Sequence, residues 1–244
     1  MRSRFRAATG VCSFALSSLL VLSAGCRMPG ATHIETVERP EAITDFNKLF
    51  SQNCAGCHGA NGQNGPAIDL ANPVYQAWVS DATLERIISG GEPPTQMPAF
   101  AQSSGGMLTD AQVDALVKGM RASWAASNAL NGQTPPPAQP SGSSDPEQGA
   151  KTYQTACARC HSQPAHKVTD PTYLAMVNNR TLRAIIIVGR PDLAIPGHPE
   201  QSHPDWRGDI PGRPLTGQEV NDIVAYLNSL RTDTPGQPYS SPKQ

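Results

Sequence analysis

Long apolar runs, blocks of like charge, alternating strand patterns and spare cysteines are all scarce in this 244-residue chain. Lys and Arg number 19 against 20 Asp and Glu, a balance that argues against nucleic acid as a partner, since that would need a basic face. No run of one sign is present to act as a tail. Past residue 26 no apolar stretch is long enough to span a membrane. No stretch alternates apolar and polar residues as a half-buried strand does, and the patterns that remain are helical. Cysteine is limited to six positions, each of which can be assigned.

The first assignments concern export. The stretch "MRSRFRAATGVCSFALSSLLVLSAGC" carries Arg2, Arg4 and Arg6, then an apolar run, then small residues, the pattern of a secretory signal. Cys12 lies inside it and leaves with it. Its end, "LSAGC", resembles a bacterial lipoprotein signal, which implies acylation of Cys26, although Ser23 stands where Leu is usual. That reading anchors the exported protein to a membrane by lipid; the other reading is ordinary cleavage nearby, which leaves Cys26 as a stray thiol.

The rest of the chain is a duplication. "NPVYQAWVSDATLERIISGG" at 72–91 aligns with "DPTYLAMVNNRTLRAIIIVG" at 170–189 without a gap, at an offset of 98. Between the copies, "NGQTPPPAQPSGSSDP" is rich in Pro, Gly and Ser and reads as a semi-extended linker. The expected organisation is signal 1–25, tether 26–41, first domain 42–130, linker 131–146, second domain 147–232 and tail 233–244.

Each copy has three helical signals. Ile43, Phe46 and Phe50 share a face before the first cysteine pair, and Asp145–Pro146 starts the matching helix of the second copy. Leu84, Ile87 and Ile88, like Leu182, Ile185 and Ile186, form apolar stripes in the middle. "TDAQ" and "TGQE" open the last helices as capping boxes. The first copy has its aromatic early (Phe46) and its glycine late (Gly119); the second reverses this, with Gly149 early and Tyr226 late. A glycine inside a helix costs about 1 kcal/mol relative to Ala, so the pattern predicts a close crossing of first and last helices in each copy.

"CAGCH" at 54–58 and "CARCH" at 157–161 carry the chemistry. Two thiols at this spacing add to the two vinyl groups of one heme, and the adjacent His turns its imidazole to the iron. A zinc ribbon needs its two pairs about 15–20 residues apart, whereas these are roughly a hundred apart. A thioredoxin-type pair needs a βαβ setting, which is absent.

With those motifs the chain resembles the small monoheme cytochrome c domain, in tandem, over about 42–125 and 147–231. The resemblance implies an all-α fold of two small helical bundles, each wrapped around one covalently bound heme. It implies attachment through Cys54, Cys57, Cys157 and Cys160, with His58 and His161 as proximal ligands. "GPAI" at 65–68 is similar to the family's Gly-Pro turn, which implies that the Pro66 carbonyl accepts from the His58 imidazole. The second copy lacks that dipeptide, and Pro164 is the candidate substitute.

"MPAF" is similar to the family's distal loop and makes Met97 the candidate sixth ligand of the first iron, with Met107, Met120 and Met176 as alternatives. Met120 and Met176 fall in helical patterns and read as core. In the second copy the ungapped offset puts Ile195, which cannot bind iron, opposite Met97. The last helices align at an offset of 107, so nine extra residues precede the last helix, and the insertion holds His198 and His203. Three outcomes stand open: His203 ligates, with "HPDW" in the place of "MPAF"; His198 ligates; or the iron is left open. His33 and His166 read as solvated.

Two hemes on minimal domains imply an electron carrier working by outer-sphere transfer rather than an enzyme. The expected partners are a quinol-oxidising complex or dehydrogenase upstream and a cytochrome or terminal oxidase downstream, outside the cytoplasm. The alternative is a diheme enzyme, peroxidase-like or acting on sulfur compounds, using an atypically ligated second heme. Against it, no acid/base pair stands out, and Arg183, Arg190 and Arg207 read as solvated surface.

Overall fold

The computed structural model describes residues 38–93, 95–164, 167–194 and 202–231. The signal, Cys12, Cys26, His33, His166, Ile195, His198 and the tail from 233 lie outside the described residues. Among those residues there are ten α-helices and no strand, only isolated bridges. The all-helical expectation holds.

Each half begins with a helix that runs straight into its cysteine motif. Helix α1, Phe46–Asn53, is started by Asp45, whose carboxylate accepts from Lys48 N at 2.7 Å. Its C-cap is Cys54, whose amide donates to Phe50 O at 2.8 Å. The short helix α2, Ala55–His58, follows at once. After it come α3, Pro73–Trp78, α4, Asp81–Gly90, and α5, Asp110–Trp124. The second half repeats this with α6, Pro146–Ala156, capped by Cys157, then α7, Ala158–His161, α8, Pro171–Met176, α9, Asn179–Val188, and α10, Gly217–Ser229. Both capping boxes form: Thr109 with Gln112 starts α5 and Thr216 with Glu219 starts α10.

The predicted crossings are present. A Cβ on Gly119 of α5 would sit 2.2 Å from the Phe46 ring, so the ring lies directly on the glycine. In the second half the approach is closer still, backbone to backbone. A Cβ on Gly149 of α6 would meet Asp222 O of α10 at 1.9 Å and Tyr226 Cβ at 2.9 Å. The Tyr226 ring then packs on Tyr153, centroids 5.4 Å apart.

A second device is duplicated that the pattern did not reveal. Arg121 of α5 reaches across to the α3–α4 corner, donating to Val79 O at 2.6 Å and Asp81 Oδ1 at 2.7 Å, with Gln76 also bonded. In the second half Arg231 does the same to Leu174 O at 2.8 Å, Val177 O at 2.6 Å and Asn179 Oδ1 at 2.8 Å. The three acceptor positions are related by the offset of 98. The two arginines are not, because one lies inside its helix and the other just past its end.

From Pro40 onward the chain forms one compact unit, in which the halves touch and the linker is fastened. Trp78 Nε1 donates to Pro136 O at 2.8 Å. Arg183 is buried, correcting its reading as solvated surface. Its Nε and Nη2 donate to Pro137 O at 2.9 and 2.7 Å, and its Nη1 to Asn221 Oδ1 at 2.7 Å. Asn221 and Gln218 of α10 in turn hold Ser141 O and Ser143 O, both at 2.8 Å. The Pro- and Ser-rich stretch has few side chains to bury, and it is held by its carbonyls. The Met176 expectation also fails: it is 73% exposed, while Met120 is buried as expected. Met176 is the last residue of the short helix α8, where the side chain turns outward.

Two outcomes follow. Gly149→Ala is expected to cost about 1–3 kcal/mol by overpacking, and more than Gly119→Ala, because the obstacle is backbone rather than a ring that can tilt; denaturant melts of both variants check the order. Arg183→Met strips buried acceptors of their donors, for about 2–3 kcal/mol, and limited proteolysis should then cut faster within 131–146.

Candidate heme sites

The four described cysteines are unpaired, with Cys57 and Cys160 exposed and Cys54 and Cys157 partly buried. Burial pushes the Cys54 thiol up to about 11, and burial likewise raises Cys157 to about 12. Neither Cys54 nor Cys157 therefore has the depressed pKa through which an activated redox thiol works. Among the described residues no group of three His, Cys, Asp or Glu is arranged to hold a metal ion. Free thiols at i and i+3, with His next, suit porphyrin attachment.

In the first half His58 is buried and its Nδ1 donates to Ile68 O at 2.8 Å. This corrects the expectation for Pro66: the turn is present, but the acceptor is two residues further on. The loop is drawn back under the motif by Ala67 N donating to Cys57 O at 3.0 Å, and that bond carries the Ile68 carbonyl to the ring. With Nδ1 as the donor, the lone pair is on Nε2, the nitrogen left for iron. Burial lowers the His58 pKa and so favours the neutral, ligating form.

The distal loops match at the level of backbone. Gly91, at φ 71°, would drive a Cβ to 2.8 Å from Met97 O and from Ala99 N. Gly189, at φ 73°, would do so to His203 O at 2.7 Å and Asp205 N at 2.8 Å. Glu92 N donates to Met97 O at 3.1 Å, and Arg190 N to His203 O at 2.9 Å. Leu108 N bonds Phe100 O at 2.7 Å, and Leu215 N bonds Trp206 O at 2.8 Å. His203-Pro204-Asp205-Trp206 therefore stands where Met97-Pro98-Ala99-Phe100 stands in the first half. Met97 is half-buried against the core, whereas Met107 is 79% exposed and Met120 lies inside the bundle.

His203 faces His161, with ring centroids 5.9 Å apart and planes at 39°. Two imidazole–metal bonds of about 2 Å each, plus about a ring radius on either side, span roughly that gap. The His203 Nδ1 donates to Pro204 O at 2.7 Å, which leaves Nε2 with the lone pair. Burial, aided by the nearby His161 and Arg190, pushes His203 down to about 4, so the ring is neutral at ordinary pH. Pro164 is exposed.

Sequence reasoning missed the charges around these loops. Arg190 is buried, not solvated. Its Nε and Nη2 each bond Asp192 at 2.8 Å, and Nη2 also reaches Gly65 O of the first half at 3.2 Å. Asp192 Oδ2 accepts from Asn64 N at 3.0 Å. Arg207 pairs with Asp205 rather than standing free. Glu92 pairs with Arg180. The signal was available in part: Glu92 and Arg190 occupy the same place in the repeat, one residue after the turning glycine.

Two helical bundles, each with a cysteine-pair motif and an adjacent histidine at the end of its first helix, define a c-type cytochrome. Residues 41–118 match the family described as cytochrome c oxidase, cbb3-type, subunit III, and residues 146–231 match the family described as cytochrome c. The chain belongs to the c-type cytochromes, as a tandem of two such domains, and carries two covalently bound c-type hemes. No curated protein and no solved structure matches it.

The shared glycine turn yields a selective prediction. Gly189→Ala adds backbone strain and a clash with the His203 segment, costing about 2–4 kcal/mol, and should perturb the visible spectrum of the second heme alone. Gly91→Ala should do the same to the first heme alone. Spectra and melts of the two variants check this.

Proposed function

We propose that this tandem cytochrome is a lipid-anchored carrier on the exported face of a membrane, acylated at Cys26. It takes electrons from a quinol-oxidising complex or dehydrogenase and delivers them to a cytochrome or terminal oxidase. The coarser function, heme-based electron transfer, follows from the two domains themselves. Each bound heme supplies a one-electron ferric/ferrous couple. The polypeptide holds that couple in an apolar shell and leaves Cys57 and Cys160, where the macrocycles attach, at the surface for small, short-lived encounters.

The observation that carries the reading is the 5.9 Å His161–His203 pair. It supports His161 and His203 as the two axial ligands of the second heme, and the matching loop supports His58 and Met97 for the first. A second heme closed on both sides has no open position for peroxide or a sulfur substrate, which weighs against the enzyme alternative. A thioether ligand tends to raise the potential, so the second heme is the lower of the two and electrons run from it to the first. Membership of an oxidase complex is a second reading, favoured by the family matched at 41–118.

Near-infrared magnetic circular dichroism should give one bis-imidazole heme and one imidazole–thioether heme. His203→Ala should open the second heme to cyanide, and His203→Met should raise its potential towards that of the first. A wild-type second heme whose potential equals or exceeds the first would overturn the direction of flow.

A further inference from the structure

Asp69 lies one residue beyond the carbonyl that holds His58, and is 2% exposed. Its Oδ1 is buried with no hydrogen-bond partner. Asp192 and Arg190 face it from the second half, with Tyr173 beside Arg190, and the amides of Ala71 and Asn72 face it from its own loop. Asp192 is satisfied twice over, by Arg190 and by Asn64 N. Asp69 shares the same cation but keeps an empty acceptor. Two carboxylates and one guanidinium are thus enclosed where the proximal loop of the first heme meets the distal loop of the second.

We propose that Asp69 is a proton-binding site linked to the oxidation state of the first heme. One electron from the redox donor enters the couple, one proton from solvent binds the Asp69 carboxylate as it becomes the neutral acid, and both leave on reoxidation. The linkage is electrostatic. Reduction removes one positive charge from the iron, and in the poorly screened interior such a change shifts the proton equilibrium of a buried neighbouring carboxyl. Burial pushes the Asp69 carboxyl up to about 6, and the Asp192 charge adds to the effect, so the group is poised between its two forms. The sign is set by charge: the reduced state binds the proton more tightly, so the potential of the first heme falls as pH rises.

The inference rests on His58 as the ligand of the first heme, and the test separates the two. Loss of that ligation would change the heme spectrum at every pH, whereas failure of the proton site changes only the slope of potential against pH. Potentiometric titration of the intact diheme protein should show the first heme falling around pH 6, by at most the tenfold per pH unit, about 59 mV, of a one-electron, one-proton couple. Asp69→Asn should flatten that slope, while Asp209→Asn, a buried carboxyl beside Cys157 in the other half, should leave it intact. A slope unchanged in Asp69→Asn assigns the proton to another group, such as a heme propionate, and overturns the proposal. Should Asp69→Asn fail to fold, reduced-minus-oxidised infrared spectra of the wild type decide the matter. A carboxylic-acid carbonyl band growing on reduction supports the site, and its absence near pH 6 overturns it.

Discussion

Everything about these two heme sites depends on how closely the first and last helices of each half can cross. The first helix ends in the attachment cysteine, so its position fixes the porphyrin edge. The last helix follows the distal loop, so its position fixes how far that loop must reach. Glycine at the crossing removes the side chain that would hold the two apart, and the aromatic on the opposite helix fills what remains. The duplication kept the contact while exchanging which helix supplies the glycine. The constraint therefore acts on the pair of helices rather than on either residue.

Within that frame the halves diverged where chemistry rather than packing is at stake. Gly91 and Gly189 receive the same backbone, yet Met97 arrives by a short loop and His203 by a long one. A glycine at positive φ against a carbonyl and an amide tolerates any side chain at the Met97/His203 position, because the nearest atoms it meets there are main-chain ones. That is how a methionine and a histidine can stand at the same place in the two halves without rebuilding the bundle. The residue after each glycine also changed, to Glu92 in one half and Arg190 in the other, and both became buried and paired at the junction between halves.

Much of this was legible in one dimension. The two pentapeptides, the ungapped repeat, both capping boxes and the exchanged glycines rest on short-range chemistry or helical periodicity, which spacing alone reveals. The His58 acceptor was not legible, since a carbonyl leaves no mark in sequence, and which of Pro66 or Ile68 reaches the ring depends on how the loop folds under Cys57. Met176 and the arginines were misread for related reasons. The last residue of a short helix can face out, and an arginine can be buried if carbonyls such as Pro137 O are brought to it.

The sequence by itself determined that there are two covalent heme sites on a duplicated helical unit, because thiol spacing and an adjacent imidazole are local requirements met within five residues. Only the tertiary structure decided that His203 faces His161. It also decided that the Pro-rich stretch is strapped down and that Asp69, Arg190 and Asp192 share one enclosure. Those outcomes depend on residues far apart in the chain meeting across a buried boundary, where desolvation makes each unpaired charge costly and each pairing selective.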